Sequence, residues 1–149
     1  MATFSSEYEC KLDTKGRLVL PAKLKAALPE VGGGELVMRK GFDPCLELYP
    51  MVEFKKLDNQ VSSLSGFDPK ERNFKRNFYR NITEVELDSA GRFLIPKGLL
   101  KFAGIDREVV VVGVGKNIEI WSPERYDEFL IQDEEEFSLQ AKKFLTPNQ

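Results

Sequence analysis

One stretch of this chain occurs twice. Tyr8-Glu9-Cys10-Lys11-Leu12-Asp13-Thr14-Lys15-Gly16-Arg17-Leu18-Val19-Leu20-Pro21 lines up with Thr83-Glu84-Val85-Glu86-Leu87-Asp88-Ser89-Ala90-Gly91-Arg92-Phe93-Leu94-Ile95-Pro96 at a shift of 75 residues. Glu9/Glu84, Leu12/Leu87, Asp13/Asp88, Gly16/Gly91, Arg17/Arg92 and Pro21/Pro96 are identical, and the positions between Arg and Pro are apolar in both. A second block recurs at a shift of 72, Leu46-Glu47-Leu48-Tyr49-Pro50 against Ile118-Glu119-Ile120-Trp121-Ser122. Two matched blocks in the same order mark a tandem duplication, and such self-similarity restricts the fold before any single residue is read. A unit of about 45 residues has little core of its own, so the copies are expected to interlock and bury apolar faces against each other.

Each copy reads as β-turn-β-α-β-β. A short strand (Tyr8 to Leu12, or Thr83 to Leu87) leads into an Asp-x-x-Gly turn. There Asp can accept from its own downstream N–H groups, and Gly can supply a positive φ. A second strand (Arg17 to Leu20, or Arg92 to Ile95) is stopped by Pro, which suits the first turn of a short helix, Ala22 to Leu28 or Lys97 to Ala103. Strands Glu35 to Arg39 and Cys45 to Tyr49 follow in one copy, Glu108 to Val112 and Ile118 to Trp121 in the other. Gly32-Gly33-Gly34 reads as a flexible helix-to-strand loop.

The expected organisation is mainly β with short helices. Repeats at 7–54 and 81–126 are separated by a helical insert at 55–80 and followed by an acidic helical tail at 127–149. In the insert, Asp68-Pro69 has the form of an N-cap followed by Pro at the first helical position. Phe74 and Phe78 share one face of that helix, and Arg72, Arg76 and Arg80 line another. In the tail, Tyr126, Phe129, Leu130 and Phe137 are the expected packing residues, and Thr146 to Gln149 the frayed end.

The formal net charge is only −2, with apolar residues at 42% and charged residues at 31%, a composition of globular proteins. The distribution says more than the sum. Lys11, Lys15, Arg17, Lys23 and Lys25 face only Asp13, and a second basic zone runs from Lys55 to Arg80. From Glu119 to Glu136 eight acids face one base, Arg125, and mask both zones. No apolar run is long enough to span a bilayer, and no secretory leader is evident, so a cytoplasmic location is expected.

Enzymatic readings find little support. The chain has no histidine, which removes Ser-His and Cys-His pairs and every His-containing metal site. Cys10 and Cys45 form neither a CxxC pair nor a disulfide framework, and Cys10 reads as a small core residue. Val109 to Asn117 resembles a strand entering a Gly-Lys phosphate loop. However, Val110 stands where that motif needs Gly and Asn117 where it needs Ser or Thr, so a hairpin turn is expected. Asp13 and Asp88 could converge as a carboxylate pair. Each is better placed to begin its turn and to orient the arginine four residues on. No cofactor, metal or small-molecule substrate is expected.

The paired Asp-x-x-Gly-Arg turns, each followed by an apolar strand and Pro, resemble the AbrB/SpoVT superfamily. Leu12 to Leu18, the block Cys45 to Pro50 and Glu71-Arg72-x-x-x-Arg76 resemble its two-repeat MraZ family in particular, over about Tyr8 to Tyr126. The resemblance implies swapped-hairpin repeats interleaved as a pseudo-dimeric barrel and a ring-like homo-oligomer. It further implies nucleoid-associated regulation of transcription through short direct repeats in double-stranded DNA, upstream of the division and cell-wall gene cluster. Carried over, the DNA-recognition turns are Asp13 to Arg17 and Asp88 to Arg92.

The DNA-binding set is then Lys11, Asp13, Lys15, Gly16, Arg17, Asp88, Gly91 and Arg92, with Arg72 and Arg76 as a phosphate-facing stripe or a solvated helix face. Arg17 can fork onto guanine or phosphate, while Asp13 would hold it. Glu86 and Ala90 replace Lys11 and Lys15 in the second copy, which points to the first turn as the stronger contact and to Arg92 as partly structural. The plain alternative for both arginines is a buried hairpin salt bridge. An antitoxin-like or scaffold oligomer of the same fold is the competing function.

Overall fold

The computed structural model describes residues 3–29 and 35–147. The Gly32-Gly33-Gly34 loop and the final Asn148-Gln149 lie outside the described residues. Each half runs β-β-α-β-β-α-α. The first contains β1 (Glu7–Lys11), β2 (Arg17–Val19), α1 (Ala22–Ala26), β3 (Glu35–Lys40), β4 (Leu46–Pro50), α2 (Met51–Ser62) and α3 (Pro69–Tyr79). The second contains β5 (Thr83–Glu86), β6 (Arg92–Leu94), α4 (Lys97–Ala103), β7 (Glu108–Gly113), β8 (Ile118–Trp121), α5 (Pro123–Phe129) and α6 (Glu134–Leu145). Asp68 caps α3 as expected, accepting from the Lys70 N–H with Pro69 behind it. The helix before it starts at Met51, directly after Pro50, so α2 follows β4 without a loop.

The halves interleave. β1 pairs with β7, β2 with β6, β3 with β5 and β4 with β8, each joining one copy to the other. A six-stranded sheet of order β1-β7-β8-β4-β3-β5 and a separate β2-β6 ribbon result. Among the described residues the two sheets do not close into a continuous barrel. Leu18 stands opposite Phe93 and Glu47 opposite Glu119, each beside its own repeat counterpart. Glu9 opposite Val110 is mirrored by Glu84 opposite Val37. A pseudo-two-fold axis therefore runs through the ribbon and the centre of the large sheet.

Strand alternation divides the core between the two faces of the large sheet. On one face Leu36, Met38, Leu46, Leu48, Val109, Val111, Ile118 and Ile120 meet Leu18 and Phe93 of the ribbon, with Leu24 and Leu99 from α1 and α4. Burying a side chain of this size stabilises by about 1.5–3 kcal/mol, so this layer fixes the ribbon to the sheet. Cys10 packs at its margin, half-buried. On the other face Val37 packs with Phe54 and Val61 of α2 and Phe78 of α3, and Cys45, Val110, Val112 and Trp121 lie under α5. The Gly-Lys segment is a tight hairpin, as expected, with Gly115 at φ +96°. Gly113 is required there, since a Cβ would lie 2.3 Å from the Ser5 nitrogen.

The tail follows expectation in part. Tyr126 and Phe129 reach Trp121, with ring centroids 5.9 and 5.1 Å away. Leu130 and Phe137 remain exposed, because the helix ends at Phe129 and the following α6 buries no residue.

One polar group is built into the helical face of the sheet. Arg39 Nη1 donates to Glu47 Oε1 at 2.6 Å, and the Tyr49 hydroxyl donates to the same oxygen at 2.7 Å. The guanidinium also lies 4.5 Å from the Phe42 ring centroid and 4.7 Å from that of Phe78. In the second half Val112 stands where Arg39 would be. Glu119 accepts from Trp121 Nε1 at 2.8 Å instead, and burial raises its carboxyl pKa above the ordinary range.

Candidate nucleic-acid interface

The two turns have the same geometry. Asp13 Oδ1 accepts from the backbone N–H groups of Lys15 and Arg17, both at 2.9 Å, and Oδ2 accepts from Arg17 Nε at 2.7 Å. Asp88 Oδ1 accepts from Ala90 and Arg92, again at 2.9 Å, and Oδ2 from Arg92 Nε at 2.9 Å. Gly16 and Gly91 close the turns at φ +83° and +78°, a region that other residues enter at a cost. The backbone N–H of Arg17 is the main cause that lowers the Asp13 pKa to about 2, and the backbone N–H of Arg92 is the main cause that holds Asp88 below the ordinary carboxylate value. Both carboxylates thus stay charged through neutral and mildly acidic pH. Each is occupied by its own turn, as the sequence suggests.

Both arginines are held by Nε alone. Their terminal nitrogens make no hydrogen bond among the described residues, and the Arg17 and Arg92 side chains keep 31% and 37% exposure. The ion pairs are therefore not buried hairpin bridges. Each Asp anchors the neck of a guanidinium and leaves its outer edge free.

The ribbon aims those edges in one direction. In β2 and β6 the middle residues Leu18 and Phe93 point into the core, so the residues on either side point out. Arg17 stands opposite Leu94 and Val19 opposite Arg92, and opposed residues of an antiparallel pair share a face. One solvent face therefore carries two arginines on a diagonal, with Val19 and Leu94 on the other. The Ile95 N–H donates to the Gly16 carbonyl and the Leu20 N–H to the Gly91 carbonyl, both at 3.0 Å, tying each turn to the opposite half.

The swap also places residues that spacing alone does not associate. A Cβ at Gly91 would lie 3.5 Å from Lys25 Nζ, so this lysine of α1 sits over the second turn. Its counterpart Leu100 sits over Gly16. In the sequence Lys25 is legible only as part of a basic zone, and Val19 and Leu94 only as apolar strand positions. Strict alternation through Arg17-Leu18-Val19-Leu20 is the signal that could have turned Val19 outward. Lys11 and Lys15 are exposed beside the first turn. Arg72 and Arg76 are exposed on α3, across the sheet from the ribbon, and Arg72 Nη1 donates to the Gly66 carbonyl at 3.1 Å. They are not brought together with the turns.

The family described as "MraZ protein, putative antitoxin-like" matches the chain twice, over residues 3–77 and 78–146. The chain belongs to the MraZ family. Among its MraZ relatives, the transcriptional regulator MraZ of Cytophaga hutchinsonii is 50% identical over 147 residues, 99% of this chain and 97% of that protein. Those of Christiangramia forsetii and Moorella thermoacetica are each 38% identical, covering 97% and 95% of this chain and 94% and 96% of theirs. These MraZ proteins are named as regulators rather than enzymes, in agreement with the non-enzymatic expectation.

Proposed function

We propose that the chain is a sequence-specific DNA-binding regulator of transcription that reads duplex DNA with the β2–β6 ribbon. The observation that carries this is the rigid, outward face on which two anchored arginines leave their outer nitrogens free. A major groove admits a two-stranded ribbon, and guanine O6 and N7 fit the open edge of a guanidinium. The names of the relatives support the regulatory reading. The cognate DNA is expected in short direct repeats ahead of the chain's own gene, in the division and cell-wall cluster, with the protein cytoplasmic and nucleoid-associated. A titration of that upstream duplex against scrambled DNA at several salt concentrations tests the reading. Selective, salt-sensitive binding supports it, and equal binding of both DNAs by folded protein sinks it.

Lys25 completes the second turn in this reading. It supplies over Gly91 the cation that Ala90 lacks, so both arginines act with a lysine beside them. Lys25→Ala is expected to weaken binding to all duplexes about equally and to reduce the salt slope by about one per protomer, the signature of a lost phosphate contact. An unchanged slope would remove Lys25 from the interface.

The ring-like assembly is supported by α6. This helix has twelve residues and no buried one, with Phe137 63% and Phe144 68% exposed. Isolated helices of this length are marginal in water, so its apolar residues call for a partner. In the first half the corresponding helix α3 folds back and buries Phe78. In the second half, α6 is free to reach a second copy. Its acidic first turn, Glu134 to Glu136, complements the basic α2–α3 pair, and a contact between unlike surfaces gives a ring where the rotation between copies closes. Phe137→Glu with Phe144→Glu is expected to reduce the sedimenting species to monomer. Retention of the full oligomer would assign the contact elsewhere.

A further inference from the structure

Two apolar side chains occupy the middle of the proposed reading face. Val19 is 53% exposed and Leu94 56%, although Leu18 and Phe93 beside them are buried at 0% and 3%. The core is thus already filled by the inward residues, and the outward pair adds nothing to it. An outward position on a short two-stranded ribbon ordinarily takes a polar or charged residue, which also guards against stray pairing. Here Val19 stands opposite Arg92 and Leu94 opposite Arg17. The ribbon therefore shows the same apolar–guanidinium pair twice, related by the pseudo-two-fold axis.

The surrounding charge selects the occupant. Around the two apolar groups stand the cations Arg17, Lys15, Arg92 and Lys25 against the two carboxylates Asp13 and Asp88, and this net positive surround favours a polyanion over an apolar protein surface. Among base edges in the major groove, the one protruding apolar group is the C5 methyl of thymine. We propose that Val19 and Leu94 are specificity-determining residues that pack on thymine methyl groups next to the bases met by Arg92 and Arg17. This inference rests on the DNA-binding reading of the ribbon and adds to it a preference for thymine.

The test uses the full chain and the duplex from immediately upstream of its own gene, prepared once with thymine and once with deoxyuridine in every thymine position. Only the methyl groups differ. Affinity for the deoxyuridine duplex is expected to fall about four-fold for each methyl contacted, roughly ten- to twenty-fold for two. The Val19→Ala/Leu94→Ala variant should bind thymine DNA more weakly and lose most of the thymine-to-uracil ratio. Both residues are exposed, so circular dichroism and thermal unfolding should match the parent. Equal affinity of the parent for the two duplexes overturns the inference and leaves the DNA-binding reading intact. A ratio that persists unchanged in the variant also overturns it, since the methyl effect would then act through DNA shape. Failure of folded parent protein to bind either duplex overturns both readings.

Discussion

Arg17→Ala is expected to lower affinity for the cognate DNA by about 1–3 kcal/mol per site, from roughly five-fold to more than a hundred-fold, while fold and assembly stay as they are. The turn survives because Asp13 still accepts from the backbone N–H groups of Lys15 and Arg17, which need no arginine side chain. The loss should fall on cognate DNA more than on scrambled DNA, because base contacts carry specificity and phosphate contacts do not. Arg92→Ala should give a loss of the same order, since its turn repeats the first bond for bond. Where several protomers bind neighbouring repeats together, the single-site effect compounds through avidity. A titration of the two variants against cognate and scrambled duplex measures this. A loss confined to Arg17 would show that the second turn is mainly structural. No loss from either would remove the ribbon from recognition.

The second large effect concerns stability rather than binding. Arg39→Ala leaves Glu47, a buried carboxylate, without its cation, and such a loss costs about 3–5 kcal/mol. That is a large share of the about 5–15 kcal/mol by which a domain of this kind is stable. The variant also loses the guanidinium between Phe42 and Phe78, so α3 should loosen from the sheet. Replacing both partners at once, with Arg39→Met and Glu47→Leu, removes the unpaired charge and is expected to recover most of the loss. Denaturant unfolding of the single and double variants checks this. A single-variant loss below about 1 kcal/mol would mean that the pair is hydrated and its charge not confined.

The sequence made the repeat, the turn chemistry and the α+β class legible because each rests on local rules. Asp accepts from N–H groups two and four residues on, Gly takes a positive φ, and Pro closes a strand. The interlocking of the copies was also legible, from the small size of the unit. What spacing did not show is what the swap brings together. Lys25 lies over Gly91 although 66 positions separate them in the chain, and only the β2–β6 pairing explains their meeting. Val19 and Leu94 were hidden for a different reason. Apolar residues in a strand read as core unless the two faces are separated, and a strand of three residues gives a weak period. The Arg39–Glu47 pair has no counterpart in the second copy, so comparison of the repeats could not reveal it. Phe137 failed as a packing residue because an amphipathic pattern says that a helix has an apolar face, not which molecule covers it.

The most direct test of the ribbon as the reading head is a methylation-interference experiment on the upstream duplex with dimethyl sulfate. The reagent marks guanine N7 in the major groove and adenine N3 in the minor groove. Methylated guanines at discrete positions are expected to block binding of the parent protein, and one of these is expected to lose its effect when Arg17→Ala protein is used. Interference confined to adenine N3, or a guanine pattern identical for parent and Arg17→Ala, would contradict it.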